Sequence, residues 1–227
     1  MSATITIVGC GGIGGLAGFY MAQAGESVTF VDQNREHVEA IRHKGLRVNG
    51  VYGPMAVGPQ SAYAPEEIPT ALDGLVFLAC KSQATELAVT GILRYLTPGA
   101  CVVSLQNGMN EEVIAQIVGR KRTLGALPDY GGAYLAPGLL EAVNEGAVYV
   151  GELDGALSSR AQEAGRLLGI GPNRCEVLED IVGRVWTKQV YFAQILVSSL
   201  VDGPIRHILG DRRVQLLGGA AVREASL

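Results

Sequence analysis

The sequence predicts an α/β fold in which a Rossmann-like, doubly wound parallel sheet is followed by an all-helical, incomplete C-terminal domain. Strand and helix signals alternate along the chain to about residue 178, and the strand signals then disappear. In addition, the first 32 residues hold an apolar strand, a glycine-rich turn, a helix, a second strand and an acid in dinucleotide-binding order. We therefore expect a dinucleotide-binding domain over residues 1–179. Residues 180–227 are expected to form part of a helical domain for substrate binding or dimerisation.

The glycine-rich turn follows the first predicted strand, residues 4–8, and reads Gly9-Cys10-Gly11-Gly12-Ile13-Gly14. Its first glycine stands where the chain turns sharply, its second where backbone approaches a diphosphate, and its last where a helix packs closely on the sheet. The helix predicted over residues 12–24 would direct its free N–H groups and positive dipole end at that diphosphate. The glycine pattern alone is a weak signal in a chain with 31 glycines, but here the strand and helix supply the required context.

An acid ends the second predicted strand, which covers residues 27–31. A carboxylate at this position typically binds the 2′-hydroxyl of the adenosine ribose and repels a 2′-phosphate. Asp32 therefore favours NAD(H) over NADP(H). Arg35 lies one helical turn further on, in a helix predicted over residues 34–44. Its side chain could turn over a 2′-phosphate or remain solvated.

The remaining elements continue the alternation of strands and helices. In the first domain we expect extended pieces within 45–57, a strand at 75–80, a helix at 82–96, a strand at 101–105, a helix through 118 that Asn110 caps, a strand at 122–127, extended chain at 142–153, a helix at 157–168 and a strand at 174–178. The second domain should begin with a long, largely buried helix over 180–201, followed by one or two helices over 204–227.

Two polar segments directly follow predicted strands, at the edge of a parallel sheet where a cofactor crevice forms. In the first, Lys81-Ser82-Gln83-Ala84-Thr85, the lysine could reach a phosphate or the nicotinamide ribose, or simply be solvated. In the second, Gln106-Asn107-Gly108, the amides could orient the nicotinamide or a substrate oxygen, or form an ordinary turn. A third candidate, Lys188, lies beside the only tryptophan in the long helix. It is either a partly desolvated ammonium suited to proton transfer or a snorkelling side chain.

Composition narrows the class of protein. The chain has 227 residues, a formal net charge of −4 and no basic run longer than three residues, so neither nucleic acid nor an anionic membrane surface is an expected partner. No positively charged segment precedes Arg35 and no apolar run reaches membrane-spanning length, which is typical of a cytoplasmic enzyme. The four cysteines lack ligand spacing, and the three histidines are expected to be solvated or capping. We therefore expect no disulfide and no metal site.

Taken together, these motifs resemble the ketopantoate reductase (2-dehydropantoate 2-reductase) family. The similarity runs through the glycine-rich turn, the two polar segments and three further motifs: Pro137-Gly138, Gly151-Glu152-Leu153 and Trp186-Thr187-Lys188. The resemblance implies NADPH-dependent reduction of a 2-keto acid, with a Rossmann domain and a helical second domain. It also implies a catalytic role for Lys188, a place on the cofactor side for Lys81, and a position near nicotinamide and substrate for Asn107.

The sequence departs from this family in three ways. Members usually carry an asparagine one turn after the catalytic lysine and another a turn later, where this chain has Phe192 and Leu196. Asp32 replaces the arginine-containing pattern that is common in relatives using NADPH. The chain is also shorter than typical members, so we expect the helical domain and the substrate pocket to be incomplete.

These features leave two classes of function open. The first is an oxidoreductase that transfers hydride from a nicotinamide cofactor to a 2-keto acid, either ketopantoate or a less polar analogue; a dehydrogenase of a less polar hydroxy substrate is a variant of it. The second is a non-catalytic NAD(P)(H)-binding regulator or sensor. Asp32 favours NAD(H) as the cofactor, whereas the family resemblance favours NADP(H). The sequence is compatible with a homodimer.

Overall fold

A computed structural model describes residues 5–203 and 208–226 of the chain. It divides into two compact units, Met1–Ile181 and Val182–Leu227. The division falls close to residue 179, where the sequence analysis places the domain boundary.

The first unit is organised around an eight-stranded sheet whose central strands are apolar and buried on both faces. Six of its strands follow the order of the doubly wound dinucleotide fold, β5-β2-β1-β6-β7-β8, and all of these pair in parallel. Two more strands, β11 and β12, continue the sheet beyond β8 in the opposite direction. The strands are β1 Ile5–Val8, β2 Val28–Val31, β5 Ser61–Tyr63, β6 Leu75–Leu78, β7 Cys101–Ser104, β8 Thr123–Pro128, β11 Ala147–Glu152 and β12 Arg174–Val177.

Five helices cover the two faces of this sheet. Helices α1, α2 and α5 share one hydrophobic core, and α3 and α4 share the other. Adjacent strand residues alternate between the two cores, as Ile7 and Val8 do in β1. The helices are α1 Gly12–Gln23, α2 Arg35–Lys44, α3 Thr85–Leu93, α4 Glu111–Val118 and α5 Ser159–Leu168.

A second, four-stranded sheet, which the sequence analysis does not separate from the first, packs against α1. Its order is β4-β3-β10-β9, with β3 Leu46–Gly50, β4 Met55–Val57, β9 Gly131–Ala136 and β10 Leu139–Asn144. A Cβ on Gly12 would lie 2.1 Å from the Gly132 carbonyl oxygen, so α1 and β9 meet backbone to backbone. The extended chain predicted over 142–153 is therefore two strands, β10 and β11, which belong to different sheets.

Two local predictions for the first unit need correction. Asn110 occupies the position before α4, but its side chain does not cap the helix and bonds instead to neighbouring loops. The helix predicted over 82–96 begins as a 3-10 turn, Ser82–Ala84, before α3 starts. By contrast, Asn34 does cap α2, because its side chain accepts a hydrogen bond from the His37 N–H.

The described part of the second unit is helical. Helix α6, Ile181–Val197, begins at the end of the first unit and is followed by a 3-10 turn, Ser198–Leu200, and by α7, Arg212–Ala225. Gly218 of α7 packs against the side chain of Gln194 on α6. The prediction of a largely buried long helix is wrong, since Tyr191 is 59% and Leu196 65% exposed. The buried residues of α6, Ile181 and Val185, lie in its first half.

The predicted helices over 204–227 fall partly outside the described residues, which omit 204–207 and 227. Over the described ranges, no helix combines the length and apolar character needed to cross a membrane.

Candidate functional site

The candidate site is a cavity of about 660 Å³ in the first unit. It lies at the carboxyl ends of β1, β2, β6 and β7, where the sheet order reverses direction between β1 and β6. Open α/β sheets bind ligands at this topological position. Its lining includes residues of the glycine-rich turn and the end of β2, Gly9, Gly11, Gly12, Ile13 and Asp32, and residues that follow β6 and β7, Lys81, Gln106 and Asn107.

The glycine-rich turn is shaped by close backbone packing on one side and open space on the other. Gly9 has φ +91°, and a Cβ there would lie 2.6 Å from the Cys80 backbone nitrogen. A Cβ on Gly14 would lie 2.2 Å from the Gly9 carbonyl oxygen, so this glycine allows α1 to start against β1. Gly11 differs, because a Cβ there would meet nothing within 4 Å. The turn therefore leaves free volume above Gly11, at the N-terminus of α1.

Cys10 and Gly14, two of the predicted cofactor-binding residues, are buried and do not line the cavity. The Cys10 thiol is enclosed, and burial raises its pKa well above the ordinary range. Burial likewise raises the pKa of Cys101 to about 11 and that of Cys175 to about 12, so these thiols are protonated at neutral pH. All four cysteines are free.

Asp32 holds the glycine-rich turn in place in addition to lining the cavity. Its Oδ2 accepts a hydrogen bond of 2.6 Å from the Cys10 backbone N–H, and its Oδ1 accepts one of 2.8 Å from the Asn34 N–H. A carboxylate that accepts backbone N–H groups forms charge-assisted hydrogen bonds, which are stronger than neutral ones. The end of β2, the turn and the start of α2 are thus tied together by one side chain.

His37 links the same turn to the second sheet. Gly138 donates its backbone N–H to His37 Nδ1 over 3.0 Å, which places the imidazole proton on Nε2 and lets it donate to the Cys10 carbonyl oxygen over 2.8 Å. His37 is 1% exposed, so the prediction of a solvated or capping histidine is wrong. Its partners are backbone groups remote in sequence, which the helical pattern of residues 34–44 does not reveal.

A second part of the lining is built from the two polar segments after β6 and β7. Gln106 is buried, and its Nε2 donates to the Cys80 carbonyl oxygen and to the Thr85 hydroxyl, both over 2.9 Å. The Asn107 carbonyl oxygen accepts hydrogen bonds from Ser82 Oγ over 2.7 Å and from Asn110 Nδ2 over 3.0 Å. Gln106 therefore fixes the loops, whereas Lys81 and Asn107 present exposed side chains at the cavity.

A 3-10 turn with two glutamates follows β5, the strand next to the one that Asp32 ends. Strand β5 pairs with β2, and the Asp32 N–H donates to the Tyr63 carbonyl oxygen over 3.2 Å. This brings the 3-10 turn Pro65–Glu67 to the cavity, which Pro65 lines. Both glutamates of that turn form ion pairs with Arg35. The sequence does not indicate this turn, because its ion pairs join positions more than 30 apart.

Lys188 belongs to the second unit, on α6. Its Nζ lies 5.6 Å from the centroid of the Phe192 ring, which stands one turn later on the helix. A cation at this distance from an aromatic face is attracted by the ring quadrupole. The cavity described above is lined by residues of the first unit.

Across residues 5–203 and 208–226, no three His, Cys, Asp or Glu side chains come together in an arrangement that could hold a metal ion. The cavity suits a dinucleotide rather than a metal ion. The open volume above Gly11 adjoins the N–H groups that begin α1, and no side chain caps this helix start. Asp32, Pro65 and the exposed residues Lys81 and Asn107 line the same cavity.

The strand order and the glycine-rich turn define a dinucleotide-binding protein of the Rossmann class. Residues 5–155 match the family described as ketopantoate reductase PanE/ApbA. The chain belongs to this family.

Relatives and solved structures agree with this membership. The chain is 32% identical to 2-dehydropantoate 2-reductase of Archaeoglobus fulgidus over 84% of its own length and 61% of the relative's. It is 31% identical to the enzyme of that name from Pyrococcus horikoshii, over 82% of this chain and 60% of the relative. The crystal structure of 2-dehydropantoate 2-reductase from Geobacter metallireducens GS-15 superposes with a TM-score of 0.86 at 26% identity, covering 98% of this chain and 73% of that one. The chain thus spans about three fifths of the length of these curated relatives.

Proposed function

We propose that this chain carries the cofactor site and the proton-donating lysine of an NAD(P)H-dependent 2-keto acid reductase of the 2-dehydropantoate 2-reductase type. One observation carries the proposal: a chain of this family forms a cavity around its glycine-rich turn at the carboxyl ends of the central parallel strands. The family supplies the reaction type, and the cavity supplies a place for a nicotinamide dinucleotide. The substrate is a small molecule.

We infer that NADH is the preferred cofactor. The Asp32 carboxylate lies at the cavity wall, where it suits a ribose hydroxyl and repels a 2′-phosphate. Arg35, which could otherwise neutralise such a phosphate, is paired with two glutamates. The cofactor-binding residues we propose are Gly9, Gly11, Gly12, Ile13, Asp32, Lys81 and Asn107, with Cys10 and Gly14 shaping the turn and Gln106 the loops after β6 and β7.

The proposed chemistry divides among three side chains. When bound, a reduced nicotinamide supplies a hydride to the keto carbon. The Lys188 ammonium stabilises the developing alkoxide and gives it a proton. The Asn107 carboxamide orients the carbonyl or the nicotinamide ribose, and the Lys81 ammonium binds on the cofactor side. These roles rest on the match between the positions of these residues and the family's motifs.

The substrate we propose is less polar than ketopantoate. Phe192 and Leu196 stand at positions where members of the family usually have asparagines that contact substrate. Each lost contact to a polar group costs about 1–3 kcal/mol, or roughly one to two powers of ten in specificity. A homodimer and a cytoplasmic location are further expectations of this proposal.

Steady-state oxidation of NADH and NADPH with a panel of 2-keto acids tests the proposal. We expect turnover with NADH, and a higher kcat/KM for keto acids with apolar side chains than for ketopantoate. A panel in which ketopantoate has the highest kcat/KM would contradict the substrate proposal. Absence of turnover with every keto acid and both nucleotides would overturn the assignment as a reductase.

A non-catalytic NAD(H)-binding regulator is the second candidate, and the apolar residues Phe192 and Leu196 favour it. Loss of both family asparagines removes hydrogen-bonding groups that a substrate would need, while the glycine-rich turn and Asp32 remain. This candidate predicts tight NADH binding without turnover in the same panel. A single titration beside the kinetic assay therefore separates the two functions.

A further inference from the structure

The 3-10 turn after β5 places two carboxylates beside the end of β2. Val31 of β2 pairs with Tyr63 of β5, and Glu66 and Glu67 follow Pro65, which lines the cavity. Asp32 follows Val31 directly and lines the same cavity. Glu66 and Glu67 therefore follow the carboxyl end of β5, the strand next to the one that Asp32 ends.

Both carboxylates engage the guanidinium of Arg35. Nη1 of Arg35 lies 2.7 Å from Glu67 Oε1, and its Nη2 contacts Glu66 Oε1. Arg35 thus has each terminal nitrogen committed to a different carboxylate. The 3-10 turn Pro65–Glu67 therefore holds the Arg35 side chain in place.

Glu67 is itself anchored from α2. Arg42 Nη2 lies 3.1 Å from Glu67 Oε2, while Arg42 Nε donates to the Ala62 carbonyl oxygen over 2.9 Å. The hydrogen bonds from Arg42 and Arg35 hold the pKa of Glu67 below its ordinary value, so this side chain is ionised at neutral pH. The ion pairs belong to a connected network that spans α2 and the 3-10 turn, and a network of this kind restrains its members more than one exposed pair does.

We propose that Glu66 and Glu67 are specificity-determining residues that exclude NADP(H) by holding Arg35 away from the 2′ position. This inference rests on the proposed function, since it assumes that the adenosine ribose binds beside Asp32. For a 2′-phosphate to recruit Arg35, the guanidinium must leave two carboxylates. Asp32 and the glutamate pair therefore discriminate against the phosphate by different means. Asp32 repels the phosphate directly, and the two glutamates keep the Arg35 guanidinium from pairing with it.

Nucleotide titration of charge-neutral variants tests the proposal. We expect Glu66→Gln/Glu67→Gln to lower the Kd for NADPH by roughly threefold to tenfold, the size of one or two exposed ion pairs, while the Kd for NADH changes by less than about twofold. Adding Arg35→Ala to this variant should abolish the gain, because the released guanidinium is what binds the phosphate. Arg35→Ala in the native background should leave the NADPH affinity within about twofold.

Two further variants control the measurement. Glu66→Gln alone keeps the Glu67–Arg42 pair and replaces the double variant if that one folds poorly. It should give a smaller gain in NADPH affinity. Glu112→Gln removes an acid of α4 that pairs with Arg120, and should leave the ratio of the NADPH and NADH dissociation constants unchanged.

An unchanged ratio in both glutamate variants, with NADH still bound, would overturn this inference and leave the proposed function standing. A severalfold loss of NADPH affinity on Arg35→Ala alone would also overturn it, because Arg35 would then already serve the phosphate. Binding of neither nucleotide by the native protein would overturn the proposed function as well.

Discussion

Replacing Asp32 by serine should change cofactor preference and loosen the glycine-rich turn together. The Asp32 carboxylate accepts hydrogen bonds from the Cys10 and Asn34 backbone N–H groups over 2.6 and 2.8 Å. Serine is shorter and uncharged, so it cannot replace both hydrogen bonds. Because hydrogen bonds to charged groups contribute about 1.5–3 kcal/mol each when sheltered, and Asp32 is partly exposed, we expect a loss of about 1–2 kcal/mol in the free energy of unfolding.

The effect on the nucleotides follows from charge and hydrogen bonding. Two unit charges about 5 Å apart in water repel by roughly 0.8 kcal/mol, so a dianionic 2′-phosphate beside Asp32 is disfavoured by about 1.5 kcal/mol, or roughly tenfold. A carboxylate-to-ribose hydrogen bond favours NADH by a further 1.5 kcal/mol or about tenfold. Asp32→Ser should therefore weaken NADH binding by about tenfold and reduce the preference for NADH over NADPH by up to roughly a hundredfold.

Fluorescence titration of both nucleotides measures these changes. Asp73→Ser is the matched control, because Asp73 lies before the amino end of β6, away from the carboxyl ends that form the cavity, and its replacement removes one negative charge. It should leave the ratio of the two dissociation constants unchanged. A preference of the native protein for NADPH, or an unchanged ratio in Asp32→Ser, would refute the role of Asp32 in cofactor choice.

Three further predictions concern catalysis, packing and pH. Lys188→Ala should lower kcat by roughly 10²–10⁴-fold with NADH affinity unchanged, whereas Lys81→Ala should lower both kcat and NADH affinity. Near-native turnover of the Lys188 variant in a steady-state assay would contradict the role of Lys188. Gly12→Ala should lower the free energy of unfolding by about 2 kcal/mol or more, because its Cβ would lie against a β9 carbonyl oxygen. Gly58→Ala, with open space around it, should stay within about 0.5 kcal/mol of the native protein in the same urea unfolding experiment. Burial raises the pKa of Glu111, so the folded state holds its proton more tightly than the unfolded state and stability should fall as pH rises from about 4.5 through the folded pKa. Glu111→Gln should remove that fall and stabilise the protein at pH 7; an unchanged pH profile of the melting temperature would contradict this.

The sequence predicts the large sheet well because its signals are local. Strands such as Leu75–Leu78 are wholly apolar, as expected for strands that are covered on both faces, and the glycines of the turn stand at fixed offsets from β1. The walls of the cavity follow from the same logic, because parallel strands place their following loops at one edge. Gly11, Asp32, Lys81 and Asn107 all lie there.

The second sheet and the links to the glycine-rich turn could not be predicted in the same way. Strand β9 begins with two glycines and has no fully buried residue, and β10 pairs with β3 through residues about 90 positions apart, as Leu140 with Val48 does. Neither property leaves a local pattern. His37 and Arg35 likewise sit in an ordinary amphipathic helix sequence, and their roles come from partners more than 25 positions away.

The measurement that tests the central claim most directly is calorimetric titration of NADH into native protein and Gly11→Val. Gly11 has extended backbone dihedrals and open space around its Cβ position, so valine should fold there, but its side chain would occupy the volume assigned to the diphosphate. We predict binding of one NADH per chain by the native protein, and loss of binding by the variant at an unchanged melting temperature. Equal NADH affinity in the two proteins, or none in the native one, would contradict the claim that this cavity is a dinucleotide site.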